Sequence, residues 1–339
     1  STVTSYVKMY LKQVLVNADY IDDGYLEKYL HDAFPASLAK KYRTEISRHP
    51  LRRELIATQL ANFVVNLVGP SFIYRLVGST GASANDVIKA AVMAKDIFGI
   101  EKYWLQIEAL DYKVSANTQA VMMTRLTRLL RRATRWLLLH QEGVMGFAEV
   151  QKLFAGKIKA VRMMYPQKLP PDAQEMFAEK FEGLVADGVP EDLARDIVRC
   201  EFLFPATSFI DISEACGEKL SIVVEVYYAV GEELQLNWLG KMINQLRVGN
   251  NWQALARESY LDDLAWHQRI LTANIVDSSD KSGSAASKVQ RWSQESAASL
   301  SRAKEMLELL KAEIDPNYAM FSVVLRELQT LAQQTVVKN

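Results

Sequence analysis

Apolar residues in this chain recur at spacings of three and four, the period that gathers them on one face of an α-helix. In 116–141, for instance, Met122, Leu126, Leu129, Ala133, Trp136 and Leu137 line one side. The same period predicts helices over 5–17, 22–33, 36–47, 51–68, 71–78, 84–98, 101–110, 116–141, 147–164, 173–187, 190–203, 219–234, 237–246, 251–276, 288–313 and 316–335. Several ends carry their own chemistry. Pro70 stops the helix that starts after Pro50, since proline lacks the amide hydrogen and clashes with the preceding turn. Ser83 and Asp86 have the spacing of a capping box. Gly99 suits the left-handed position that closes a helix. Asp315-Pro316 offers a cap and a first-turn proline to the last helix. The β-branched run 221–228 has a strand-like composition. However, Ile222, Val223, Val226, Tyr227 and Val230 share one helical face, so it is assigned to a helix. The expected fold is all-α, a multi-helix domain with no significant sheet.

Two stretches match at an offset of about 136 residues, as from Gly81 to Gly217. Ser71-Phe72-Ile73, Thr80-Gly81, Val87, Trp104-Leu105, Asn117, Gln119-Ala120 and Arg135 have counterparts in Ser208-Phe209-Ile210, Cys216-Gly217, Val223, Trp238-Leu239, Asn251, Gln253-Ala254 and Arg269. Each stretch reads as a helix, a glycine turn, an amphipathic helix, a short helix bearing tryptophan and a long helix, an internal two-fold repeat able to bury its apolar faces mutually. The expected organisation is a main helical domain over 1–276, with short helices in 1–50 and repeat-like units at about 60–137 and 193–271. The polar, small-residue segment 277–287 is the expected flexible linker. A C-terminal helix pair, 288–335, is expected to pack on the main domain.

Composition narrows the classes. Of 339 residues, 49% are hydrophobic and 24% charged, enough apolar surface to offset ordering entropy and exclude a disordered tail. Forty basic residues balance forty acidic ones, which excludes a cationic coat for nucleic acid. No run approaches the ~18 apolar residues of a membrane span, so no membrane partner is expected. Cys200 and Cys216 read as small core hydrophobes rather than a redox or metal pair. The chain opens on Ser1 rather than Met, which suggests a cleaved chain or a fragment of something longer. With no charged-then-apolar leader, the expected compartment is the cytoplasm.

Chemistry-bearing patterns are scarce. There is no GxGxxG after a strand, no GxxxxGK[ST], no HExxH and no GxSxG, and His31, His49, His140 and His267 lack metal-ligand spacing. No catalytic, cofactor-binding or metal-ligating residue is therefore assigned. Asp263 and His267 have the i, i+4 spacing of an exposed ion pair. Thr58, Asn62 and Asn66 recur every four residues on an otherwise apolar helix and are read as inter-helix hydrogen-bonding groups. Arg125, Arg128, Arg132 and Arg135 fall within an arc of about 80° on 116–141, with Arg131 adjoining. Such a face docks on an acidic surface, in this chain or a partner, and 172–196, with eight acids against Lys180 and Arg195, is the richest internal source. The helix–glycine–helix corners at Gly81 and Gly217 resemble a helix-turn-helix, but Glu225, Glu232 and Glu233 on the second would repel phosphate.

The run 51–66, LRRELIATQLANFVVN, followed by Gly69 and Phe72, resembles the C-terminal region of the large bacterial NAD-specific glutamate dehydrogenases. Supporting segments are 80–83, 107–111, 132–137, 188–190, 252–257 and 321–328, so the likeness covers almost the whole chain. The resemblance implies a very long parent polypeptide with N-terminal regulatory-type domains, a central catalytic domain and a helical tail, forming a homo-oligomer. It implies that the parent deaminates L-glutamate oxidatively to 2-oxoglutarate and ammonia with NAD. The catalytic residues and dinucleotide fingerprint belong to the central domain and match nothing here. The chain is thus expected to be a non-catalytic scaffold, interface or regulatory element that binds no cofactor and whose partner is the catalytic domain of the same polypeptide. Its candidate interface residues are Arg52, Arg53, Asn62, Asn66, Arg125, Arg128, Arg132 and Arg135. The alternatives are a stand-alone helical protein-interaction module and a helix-turn-helix regulator.

Overall fold

A computed structural model describes residues 2–140, 146–277 and 283–335. Among the described residues there are nineteen α-helices and no strand. The first ten are α1 (Thr2–Val16), α2 (Glu27–Asp32), α3 (Ala36–Lys41), α4 (Arg43–Ser47), α5 (Arg52–Val68), α6 (Phe72–Thr80), α7 (Ala84–Phe98), α8 (Ile100–Glu108), α9 (Ala116–His140) and α10 (Phe147–Met164). They are followed by α11 (Pro171–Ala186), α12 (Glu191–Phe202), α13 (Ala206–Cys216), α14 (Leu220–Glu233), α15 (Leu236–Gln245), α16 (Asn251–Val276), α17 (Ala285–Glu295), α18 (Ala297–Ala312) and α19 (Tyr318–Gln334).

The helical period located the elements, and end chemistry located some of their termini. Ser83 Oγ accepts the Asp86 amide while Asp86 reaches back to the Ser83 amide, the complete capping box. The β-branched run lies in α14, as its helical face required. Several boundaries differ from expectation. The helix foreseen over 36–47 breaks at Tyr42, and that over 288–313 at Ser296. α19 is capped by Asn317 rather than Asp315: its side chain accepts the amides of Ala319 and Met320, and an asparagine two residues nearer the helix outcompetes the aspartate. Of the expected linker 277–287, residues 278–282 lie outside the described residues. Asp277 closes α16, and Ser284 caps α17, which therefore starts at Ala285.

The chain divides into two compact units, Ser1–Met163 with Met176–Thr207, and Met164–Glu175 with Ser208–Asn339. In the first, α7 is enclosed on nearly every side. It touches α1, α5, α6, α8 and α9, and Val87, Ile88, Ala91, Val92, Ala94 and Phe98 are fully buried. Three alanines at 90, 91 and 94 let neighbouring helices approach, and each large apolar side chain buried here contributes roughly 1.5–3 kcal/mol. Lys95, buried within this helix, finds Glu101 at 2.7 Å and lies over the rings of Tyr29 and Phe63. A second polar network joins α8, α10 and α12. The Tyr103 hydroxyl accepts from Arg162 at 2.6 Å and donates to Asp196 at 3.2 Å, while Arg162 also donates to the Phe98 carbonyl. Buried beside it, the Cys200 thiol is pushed up to about 11 by loss of water. Cys216, by contrast, is only half-buried.

In the second unit, α14, α15, α17 and α19 all pack against α16, and α18 packs on α19. The seam between α14 and α16 is tight: a Cβ on Gly231 would stand 2.7 Å from Gln268 Nε2, which donates at 3.0 Å to the Tyr227 carbonyl. Lys288 on α17 is also fully enclosed, its ammonium 3.3 Å from the Val276 carbonyl and 3.5 Å from Glu218. The expected surface pair of Asp263 and His267 does not form among the described residues, because His267 turns into the core and is only 9% exposed. Burial lowers its pKa. The unfolded chain therefore binds the proton more readily, and stability is complete above the ordinary histidine value of about 6.5 and falls as pH drops through it. Thermal melts at pH 7 and pH 5 should show a larger loss for the natural chain than for His267→Gln. Parallel losses would mean that His267 is not the titrating group.

Within each unit the same succession occurs: α6, Gly81, α7, α8, α9 in one, and α13, Gly217, α14, α15, α16 in the other. Both glycines are left-handed, at φ +75° and +64°. In each, the second and third helices pack on the long fourth one. Arg135 on α9 bonds Ser79 on α6, and Arg269 on α16 bonds Asp211 on α13. This is the element order the repeat reading expects; superposing the two stretches is the measurement that decides common origin.

Candidate functional site

The densest chemistry lies on α9. Ser115 starts the helix by accepting the Thr118 amide at 3.0 Å. Apolar residues including Met122, Leu126, Leu129, Ala133 and Leu137 are buried, and α7, α8 and α12 pack on the helix. The arginines therefore fall on the remaining arc, but their environments differ. Arg125 is held in: its side chain is 13% exposed and its Nε lies 3.5 Å from Glu201 on α12. Burial pulls this guanidinium below its ordinary pKa; Glu201 opposes that and the neighbouring Arg128 adds to it. Arg132 stacks its guanidinium 3.8 Å from the centre of the Phe204 ring, and Arg135 donates to Ser79 at 2.6 Å. Arg128 and Arg131 are exposed, and no carboxylate lies within 4 Å of either among the described residues.

The counter-charge on Arg125 comes from outside the expected acidic stretch. Glu201 also holds Lys180 of α11, whereas Asp196 is engaged by Arg199 and Tyr103, and Asp187 accepts from Thr118. Between these helices lies an open cleft of about 450 Å³ lined by Asn117, Ala120, Val121, Thr124, Arg125, Arg128, Lys180 and Glu201. A water-sized recess adjoins it, lined by Arg125, Arg128, Cys200, Glu201 and Phe204 among others. Lys180 and Glu201 were not candidates from sequence. The one signal available was Lys180 standing among acids.

The other four candidates do not join this site. Arg52 and Arg53 both hold Asp22, at 2.8 and 3.3 Å. Asn62 is half-buried and Asn66 exposed, and neither makes a side-chain hydrogen bond among the described residues. Thr58 bonds back to the Glu54 carbonyl of its own helix. The inter-helix hydrogen bonds expected of this row are absent there because Ile56, Leu60, Ala61, Val64 and Val65 fill the buried face and leave the amides at its edge. Nor is the helix after Gly81 a reading head: α7 is buried almost throughout, with Lys95 only 2% exposed. Among the described residues no group of His, Cys, Asp and Glu could hold a metal, and no single helix is long and apolar enough to cross a membrane. α5 and α6 together have the length and composition, but they meet at 89°.

A family model described as "Glutamate dehydrogenase, C-terminal" matches residues 1–330. The chain is 38% identical over 335 residues to the NAD-specific glutamate dehydrogenase of Pseudomonas aeruginosa. It is 35% identical over 333 residues to that of Halomonas elongata and 26% over 333 residues to that of Mycobacterium tuberculosis. These alignments take in 99%, 98% and 98% of this chain but 21%, 21% and 20% of the relatives. The chain thus spans about a fifth of the length of the curated relatives it matches.

Proposed function

This chain belongs to the family of glutamate dehydrogenase C-terminal regions, and from that premise we propose that it is the non-catalytic helical part of an NAD-specific glutamate dehydrogenase, contacting the catalytic part of the same polypeptide within a homo-oligomer. The observation that carries the reading is the near-complete match of this chain to one-fifth of much longer relatives. The fold agrees with it. A dinucleotide fold binds pyrophosphate where a strand end passes through a glycine-rich turn into a helix. The described residues, helical and without a strand, offer no such place, so they do not fit NAD, and oxidation of glutamate by the parent enzyme would occur elsewhere. The outer Arg131 supports the interface role, since an exposed charge with no carboxylate within 4 Å among the described residues is free to meet an acidic surface.

Mixed with L-glutamate and NAD, the 339-residue chain should generate no NADH absorbance and no saturable micromolar NAD isotherm in calorimetry. Either signal would sink the reading. In a full-length enzyme carrying this region, Arg131→Glu should weaken assembly in a salt-dependent way, read by sedimentation. Unchanged assembly at all salt concentrations would remove the interface role.

A further inference from the structure

We propose that the cleft between α9, α11 and α12 is a binding site for a small anion carrying two carboxylate or phosphate charges, held by Arg125, Arg128 and Lys180. The inference uses only this chain's own residues and does not depend on the family assignment.

Charge comes first. Three cations and one carboxylate line the cleft, leaving a net charge of +2 in a concave space. Concave walls concentrate the field of such charges and raise the local concentration of counter-ions. Glu201 is shared between Lys180 and Arg125, with its Oε2 shielded from solvent and not hydrogen-bonded among the described residues, so a single carboxylate faces three cations. Next is hydrogen-bonding capacity. Arg125 Nη1 is shielded from solvent and meets no acceptor among the described residues. A guanidinium carries five donors in a planar fork suited to an oxyanion. Asn117 and Thr124 add polar groups along the same wall.

Size then selects the occupant. A volume of about 450 Å³ is that of a small-molecule site. Arg125 is recessed, at 13% exposure, where a single carboxylate or phosphate can reach it more readily than a folded surface can. Arg128 stands exposed and takes the second charge. Carboxylate and phosphate share this recognition chemistry, and only titration separates them.

The test is calorimetric titration of the 339-residue chain with succinate and, separately, inorganic phosphate, at low ionic strength. At least one should give a saturable one-site isotherm, and the anion that does identifies the preferred oxyanion. Arg128→Gln should weaken it about tenfold, the loss of one charge-assisted contact. Arg131→Gln makes the same charge change on the same helix outside the cleft and should leave the affinity within about twofold. Circular dichroism of both variants checks the fold. The proposal is overturned if neither anion saturates below about 10 mM. Equal weakening by both variants would also overturn it, since that is attraction to net charge. Binding of a poly-glutamate peptide with no binding of either small anion would likewise replace the site with a docking surface.

Discussion

Lys288→Ala should lower the stability of the 339-residue chain by about 3–5 kcal/mol, the cost of breaking a buried, hydrogen-bonded charge pair. Lys288 is 0% exposed, yet it carries an ammonium. Two things make that tolerable. Its four-carbon stem packs as a hydrophobe, and its charge sits 3.3 Å from the Val276 carbonyl at the C-terminal end of α16, where the helix dipole favours a cation. Alanine removes both, opens a cavity and leaves Glu218, itself largely enclosed, without this partner. Lys288→Met keeps most of the stem and so avoids the cavity, but it still strands Glu218, and should cost about 3 kcal/mol, the low end of that range. Urea unfolding separates the two contributions, provided that the slope with denaturant is unchanged. An alanine variant that unfolds at the natural midpoint would show that α17 contributes nothing through this residue.

The second large effect concerns the inner edge of the arginine face. Arg125→Glu would set a new carboxylate against Glu201 in a site from which water is mostly excluded, and should cost about 3 kcal/mol. Arg128→Glu and Arg131→Glu should each change stability by less than about 0.5 kcal/mol, because both are exposed and neither has a carboxylate within 4 Å among the described residues. Arg132→Glu falls between, near 1 kcal/mol, from loss of its stacking on Phe204. Thermal melts of the four variants should therefore rank by the contacts each arginine makes, not by charge, which is the same in all. Glu201→Lys in the Arg125→Glu background should recover part of the loss. Four equal melts would mean that Glu201 does not hold Arg125 in solution.

That ranking also marks where sequence stopped being informative. The 100° period placed Arg125, Arg128, Arg132 and Arg135 on one arc, and they are there. Periodicity says which side of a helix a residue takes, however, not which neighbour will face it. The neighbour that matters, Glu201, lies outside the acid-rich stretch 172–196 and shows no excess that would single it out. The same limit applies to Asn62 and Asn66, which share a row with Thr58 but sit at the edge of the buried face. It applies to His267 too, where spacing suggested Asp263 while packing turned the ring inward. Helix ends were legible where the chemistry is local, as in the Ser83–Asp86 box and Gly99. The breaks at Tyr42 and Ser296 were not, since neither involves glycine or proline.

The contact between Gly231 and Gln268 bears on how this fold can change over time. A methyl group at 231 collides with an amide that is committed to the Tyr227 carbonyl, so the substitution is tolerated only if that amide gives way. Shortening Gln268 first makes room, but leaves a void between α14 and α16. The two positions therefore constrain each other's history. Either first step is disfavoured alone, and the second relieves part of the damage, so a lineage is expected to move through this pair rarely and then at both sites. The close approach of two helices is in this sense an epistatic lock, holding a residue with no side chain in place through the side chain of another.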